Sequence, residues 1–161
     1  MKIEVPSPDD AAEIFFVQRQ TWHESYTRYL THEEIEHRFT DAPERIEQIR
    51  EGIKVQEIAQ YFVARDAGKI VGFISLAREP KNEIRSLYVL EQCQGQGVGR
   101  KLLQKAFDWF AGEPIFVHTD EQNAEAQAFY KKFGFEFVQR LPSSEREGFT
   151  LLEFQKPLAA A

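Results

Sequence analysis

The stretch EIRSLYVLEQCQGQGVGRKLL, Glu83 to Leu103, changes character twice along its length. It opens with EIRSLYVL, a β-branched and aromatic run that reads as a strand. Glycines then stand at alternate positions, Gly95, Gly97 and Gly99. Val98, Leu102, Leu103, Ala106, Phe107 and Phe110 fall on one face of a following helix. A strand-to-helix turn built from glycine leaves backbone N–H groups bare, and the helix dipole adds positive potential to them. Such a turn suits an anion, above all a phosphate.

The neighbouring segments extend this pattern in both directions. Upstream, YFVARDAGKIVGFISLA is two strand-like runs split by Asp66-Ala67-Gly68-Lys69, a hairpin signal, and EPKN is the next turn. Three strands therefore form an antiparallel meander. Downstream, the helix stops near Gly112 and Pro114, and IFVHT is a strand that should run parallel to EIRSLYV because a helical crossover joins them. A second helix, Asn123 to Phe133, ends at Gly134. FEFVQR and FTLLEFQK then close the chain as an antiparallel pair around LPSSEREG. At the start, KIEV is strand-like. Ser7 caps a helix with Pro8 at its first position, which runs to about Tyr26 and buries Ile14, Phe15, Val17, Trp22 and Tyr26. Thr31 with Glu34, and Asp41 with Glu44, have capping-box spacing, so two short charged helices are predicted between Thr31 and about Ala59.

These elements predict an α+β (mixed α/β) fold: a central, mostly antiparallel twisted sheet with one parallel strand pair and helices on both faces. The 161 residues suit one domain, bounded at 1–158, with Ala159 to Ala161 read as a disordered or appended tail. A hydrophobic content of 42% with 14 phenylalanines describes a soluble globular protein, and no apolar run approaches a membrane span. The opening MKIEVPSPDD lacks the apolar core of a signal peptide, which predicts a cytoplasmic protein. Cys93 has no partner for an internal disulfide, and no cluster of residues has metal-ligand spacing. The net charge of −6 argues against nucleic-acid binding and favours a cationic substrate or partner. The sequence is compatible with a homodimer and does not fix the oligomeric state.

Spacing separates the phosphate sites that a glycine turn can form. A P-loop needs Gly and Lys where Arg100 and Lys101 stand. A dinucleotide fingerprint needs its third glycine one position later than Gly99. Asp120 imitates the acid that such a site uses on the ribose, but the preceding meander leaves too little chain for a doubly wound sheet. From spacing alone, a tight turn with close helix–sheet contact stands ahead of a dinucleotide site.

The stretch EIRSLYVLEQCQGQGVGRKLL also resembles the acetyl-CoA motif of the GNAT superfamily of N-acetyltransferases, with Gln94, Gly97 and Gly99 at its Gln/Arg-x-x-Gly-x-Gly/Ala positions. Further on, NAEAQAFYKKFGF is similar to that family's second motif, with Asn123, Ala126, Phe129, Tyr130, Gly134 and Phe135 in place. The resemblance covers about Tyr61 to Phe135 and implies acetyl-CoA as cosubstrate. It implies that pyrophosphate rests on Gln94, Gly95, Gln96, Gly97, Val98 and Gly99 with Arg100 next in line, and that Asn123 and Tyr130 also meet the coenzyme. It further implies a splayed parallel strand pair, in which the backbone of Leu87, Tyr88 and Val89 pairs with the pantetheine arm as an added strand would.

Acetyl transfer to an amine needs a base, because an alkylammonium with a pKa of about 10 has no lone pair with which to attack. By resemblance that base is Glu83. Spacing alone reads it equally as a surface carboxylate paired with Arg85. Tyr130 matches the position of the general acid for the leaving thiolate, and its other reading is a core tyrosine with a satisfied hydroxyl. A backbone N–H near Val89 is the implied donor to the thioester carbonyl. Cys93 has no histidine at an activating spacing and is read as incidental. His118 faces either the core or the acceptor channel, as base or water holder. Trp22 and Tyr26, one turn apart, are either an aromatic wall for the amine or ordinary core. Glu33, Glu34 and Glu36 are either an attraction for a polyamine or basic peptide or a solvated face. The resulting expectation is an acetyl-CoA-dependent N-acetyltransferase acting on a small-molecule or peptide amine, without metal. The alternative is a catalytically silent coenzyme A sensor. A dinucleotide-binding oxidoreductase is the third reading, distinguished by affinity for a nicotinamide cofactor and none for coenzyme A.

Overall fold

The structure is a computed structural model describing residues 1–144 and 146–159. The elements follow in the order β1 (Lys2–Glu4), α1 (Ala11–Ser25), α2 (His32–Arg38), α3 (Ala42–Lys54), β2 (Ala59–Asp66), β3 (Lys69–Ala77), β4 (Glu83–Val89), α4 (Val98–Trp109), β5 (Ile115–Asp120), α5 (Ala124–Lys132), β6 (Glu136–Pro142) and β7 (Thr150–Lys156). Short 3₁₀ turns at Pro8–Asp10 and Glu91–Cys93 lead into α1 and towards α4. Among the described residues, no helix is long and apolar enough to cross a membrane.

Local chemistry explains most of these boundaries. The Ser7 N–H donates to the Asp10 carboxylate at 2.8 Å, and Thr31 and Glu34 exchange both capping-box bonds, at 3.1 and 3.2 Å. The expected Asp41–Glu44 box is not formed. Asp41 adopts φ 61° and its side chain makes no cap bond. A capping side chain needs extended backbone to reach the first-turn amides, and the left-handed turn into Ala42-Pro43 turns Asp41 away from them. Ala67 and Gly68, at φ 51° and 80°, make the primed turn that joins β2 to β3.

All seven strands form one sheet, in the order β1-β2-β3-β4-β5-β7-β6. Every neighbouring pair is antiparallel except β4 and β5, joined by the α4 crossover. The last strand does not lie at the edge beyond β6; β7 inserts between β5 and β6. One sheet face packs on α4 and α5 through Ile74, Ile84, Leu102, Leu103, Phe110 and Phe154. The other packs on α1 and α3 through Ala11, Ile14, Val63 and Phe73, while Phe15, Trp22, Ile35 and Phe39 continue the core beneath α2. Each such large side chain contributes about 1.5–3 kcal/mol by leaving water. Of the expected tail, Ala159 is held by its N–H, which donates to Gly112 O at 3.1 Å, while Ala160 and Ala161 lie outside the described residues.

The parallel pair is short. It is registered only at Glu83 with Phe116 and Ile84 with Val117. Directly beyond, the β3–β4 register shifts, so that Arg85 is an extra residue between Ile84 and Ser86, and this bulge bends β4. On its other side β4 stays tightly bound. A Cβ added to Gly72 of β3 would stand 2.9 Å from Tyr88 O and 3.3 Å from Val89 Cα. Gly72→Ala should therefore force β3 from β4, lowering stability by about 1–3 kcal/mol in urea denaturation. An unchanged midpoint would show that the two strands separate without cost.

Candidate active site

Where β4 leaves β5, backbone is exposed to a cleft of about 480 Å³. Leu87 and Val89 stand opposite Ile74 and Gly72, and Leu90 N–H bonds Val71 O, so alternation turns the N–H and C=O groups of Leu87 and Val89 away from β3. They point to the side that β5 has vacated. The side chain of Gln94, expected at the phosphate loop, turns back and donates to Val89 O at 3.0 Å. The Val89 N–H and both Leu87 groups remain for a ligand.

The glycine turn closes one end of this cleft. Gly95 and Gly97 have φ 77° and 80°, conformations that L side chains rarely adopt. Gly97 is the N-cap of α4, and the first bond there runs from Lys101 N–H to Gly97 O. The N–H groups of Val98, Gly99 and Arg100 thus have no acceptor within the helix. No acid occupies the first turn of α4, and the Arg100 guanidinium folds back to 3.6 Å from where a Gly97 Cβ would be. Gly99 answers to packing as well, since a Cβ there would lie 3.3 Å from the Phe129 ring of α5. The arrangement is a cationic, backbone-lined cradle that any Cβ at Gly95 or Gly97 would strain. It fits a pyrophosphate.

Helix α5 forms the opposite wall. Asn123 caps it by accepting from Ala126 N–H at 3.1 Å, and its amide donates to Tyr26 Oη at 3.5 Å. Tyr130 lines the cleft while being 6% exposed, and among the described residues its hydroxyl has no hydrogen-bond partner. Burial, then the nearby Tyr88 and Tyr26, push its pKa up, so the proton stays on the phenol. Trp22 and Tyr26 stack at 4.1 Å, and Trp22 Nε1 donates to Tyr88 Oη at 3.0 Å. Both aromatics are buried, yet each also lines a cavity. Tyr26 faces the cleft, and Trp22 faces a second hollow of about 400 Å³ between α2 and the β6–β7 loop, whose charged lining mixes Glu33, Glu34 and Glu147 with Arg38 and Arg146. Cys93 is a buried free thiol in the same core cluster as Val98 and Leu102 of α4.

At the registered end of the parallel pair lies a polar cluster. Glu83 does not pair with Arg85, whose guanidinium donates to Glu79 O at 3.1 Å. The Glu83 carboxylate instead lies 3.6 Å from His118 Nδ1, and His118 Nε2 lies 2.8 Å from Glu153 Oε2. Glu153 also accepts from Lys81 at 2.8 Å and from Gln139 at 3.0 Å. Glu153 was not among the residues singled out from the sequence, although a lone acid inside TLLEFQK, flanked by apolar residues, is its signal. It is 2% exposed. Burial alone would raise its pKa, but the bonds from Lys81, His118 and Gln139 outweigh burial and hold it at about 2.

The family model of the acetyltransferase (GNAT) family matches residues 19–135. The chain belongs to this family. Among GNAT relatives, N-alpha-acetyltransferase RimI of Mycobacterium tuberculosis is 30% identical over 83 residues, covering 48% of this chain and 52% of that protein. Peptidyl-lysine N-acetyltransferase YjaB of Salmonella typhimurium is 31% identical over 84 residues, covering 52% and 54%. The matches thus span about half the length of these curated relatives. Among solved GNAT folds, the PaiA N-acetyltransferase of Thermoplasma acidophilum, in complex with coenzyme A, superimposes with a TM-score of 0.78 at 22% identity, covering 95% of this chain and 98% of that one.

Because the folded pKa of Glu153 lies below its ordinary 4.5, its stabilising effect is fully present above pH 4.5 and is lost as pH falls towards about 2. The stability difference between the parent and Glu153→Gln, from denaturation at a series of pH values, should shrink across that window. A difference independent of pH would show that no such carboxylate is held there.

Proposed function

We propose that this protein is an acetyl-CoA-dependent N-acetyltransferase that moves an acetyl group directly to a primary amine of a small molecule, polyamine or amino-acid-like, or of a peptide. The observation that carries this reading is the unpaired inner edge of β4, ending in a glycine-built helix start: hydrogen-bonding backbone for an extended arm leads into amides for an oligophosphate. Gly95 to Arg100 would hold the phosphates, and Leu87 and Val89 the arm, with Asn123 and Tyr130 across the cleft. Acetyl-CoA, when bound, supplies a thioester whose carbonyl one of the free β4 N–H groups, Leu87 or Val89, can polarise.

The side chains divide the proton work. Glu83, with 19% of its side chain exposed at the edge of the splay, is an ionisable base that can deprotonate the ammonium of the acceptor. Tyr130, kept protonated by burial, is the donor to the departing sulfur. The hollow beside Trp22 carries both signs of charge, Glu33 and Glu34 against Arg146 and Arg38, whose guanidinium lies 4.2 Å over the Trp22 ring. The preference for a cationic acceptor therefore rests on the net charge of −6.

Thiol release from acetyl-CoA, assayed against polyamines, amino acids, aminoglycosides and N-terminal peptides, tests the reading. Turnover of at least one amine is expected. Coenzyme A binding without turnover of any would mark a sensor instead. Tyr130→Phe should lower kcat about 100-fold or more while leaving coenzyme A affinity unchanged; full activity would remove Tyr130 from the chemistry.

A further inference from the structure

The polar cluster at β4, β5 and β7 holds more groups than a lone base requires. A carboxylate with no proton can only accept, and Glu153 accepts from Gln139 on Oε1 and from Lys81 on Oε2, the oxygen that it also offers to His118. His118 Nε2 must then carry the hydrogen in the 2.8 Å contact. In the neutral ring this leaves a lone pair on Nδ1, 3.6 Å from the Glu83 carboxylate. Lone pair against carboxylate is repulsive. One added proton, on Nδ1 or on Glu83, turns the contact into a charge-assisted bond. The pair therefore has room for a single proton.

We infer that Glu83 and His118 act as one proton-accepting couple and that Glu153 is its positioning residue, fixing the His118 tautomer so that the couple, rather than Glu83 alone, takes the proton from the acceptor amine. This rests on the proposed amine acetylation. The ammonium loses a proton, and the Glu83 carboxylate with neutral His118 becomes carboxylate with imidazolium. The amine lone pair then forms the C–N bond as the C–S bond breaks. Tyr130 protonates the sulfur and regains its proton from the nitrogen, and the couple returns the remaining proton to water. The charged groups facing His118 are Glu83 from β4 and Glu153 from β7, with Lys81, from the turn before β4, behind Glu153; Gln139 of β6 is neutral.

Charge placement gives the test a sign. The couple is active when empty, so kcat/KM should rise with pH through its apparent pKa. Glu153→Gln removes an anion that favours the imidazolium and should move this limb down by about one pH unit, with a fall in kcat. Lys81→Met, on a side chain 39% exposed, removes a cation and should move the limb up. Limbs that coincide with the parent after scaling would reduce the cluster to a structural role and overturn the inference. NMR of the histidine ring nitrogens in the unsubstituted protein provides a readout that needs no turnover. Neutral His118 should carry its hydrogen on Nε2, and Glu83→Gln should lower its titration midpoint. An Nδ1–H tautomer, or an unmoved midpoint, would sink the couple. Failure of every amine to release thiol would instead sink the acetylation reading while the ring titration still decides the couple.

Discussion

The separation of β4 from β5 after two rungs is the constraint on which the rest of the molecule depends. A backbone donor or acceptor left unpaired in an interior costs about 1–3 kcal/mol, so strands do not part without something to hold them apart. The bulge at Arg85 bends β4, and Gly72 lets β3 grip the bent strand closely on its other side. Helix α5 fills the far wall with Asn123, Phe129 and Tyr130, and Gln94 satisfies one exposed carbonyl. The cleft is thus maintained by packing around it.

One strand also sets the distance between two kinds of chemistry. From Glu83 to Val89, at about 3.3 Å per residue, β4 spans roughly 20 Å. At one end lies the cationic glycine turn, and at the other the carboxylate and imidazole cluster. The two ends need opposite electrostatics. In the proposed reaction, oligophosphate would lie on bare amides beside Arg100, whereas proton abstraction from a cation would be served by anions. A chain with net charge −6 keeps its acids out of the first turn of α4 and gathers Glu83 and Glu153 at the far end.

The buried aromatics serve both structure and cavity walls. Trp22, Tyr26 and Tyr88 are linked by stacking and by an indole-to-phenol hydrogen bond, so α1 is fastened to β4 at the point where the strand turns away from β5. The readings of Trp22 and Tyr26 as core and as wall do not exclude each other, since the stacked pair stands between the two hollows.

Features governed by a few neighbouring residues were legible in the sequence. The Thr31–Glu34 box, the Asp66–Lys69 hairpin, the glycine turn and its helix, and the parallel direction of β5 follow from short-range sterics and connection handedness. The two motifs also named Tyr130, which lines the cleft, and Glu83, which lies outside its lining at the registered end of β4. Tertiary structure alone decided that Asp41 would be left-handed, that Gln94 would serve Val89, and that Arg85 would bulge rather than pair with Glu83. It also decided that β7 would insert beside β5, setting Glu153 against His118 across thirty-five residues of chain. Such contacts join side chains from different strands, and their partners are set by sheet order and register, which spacing along a single chain does not encode.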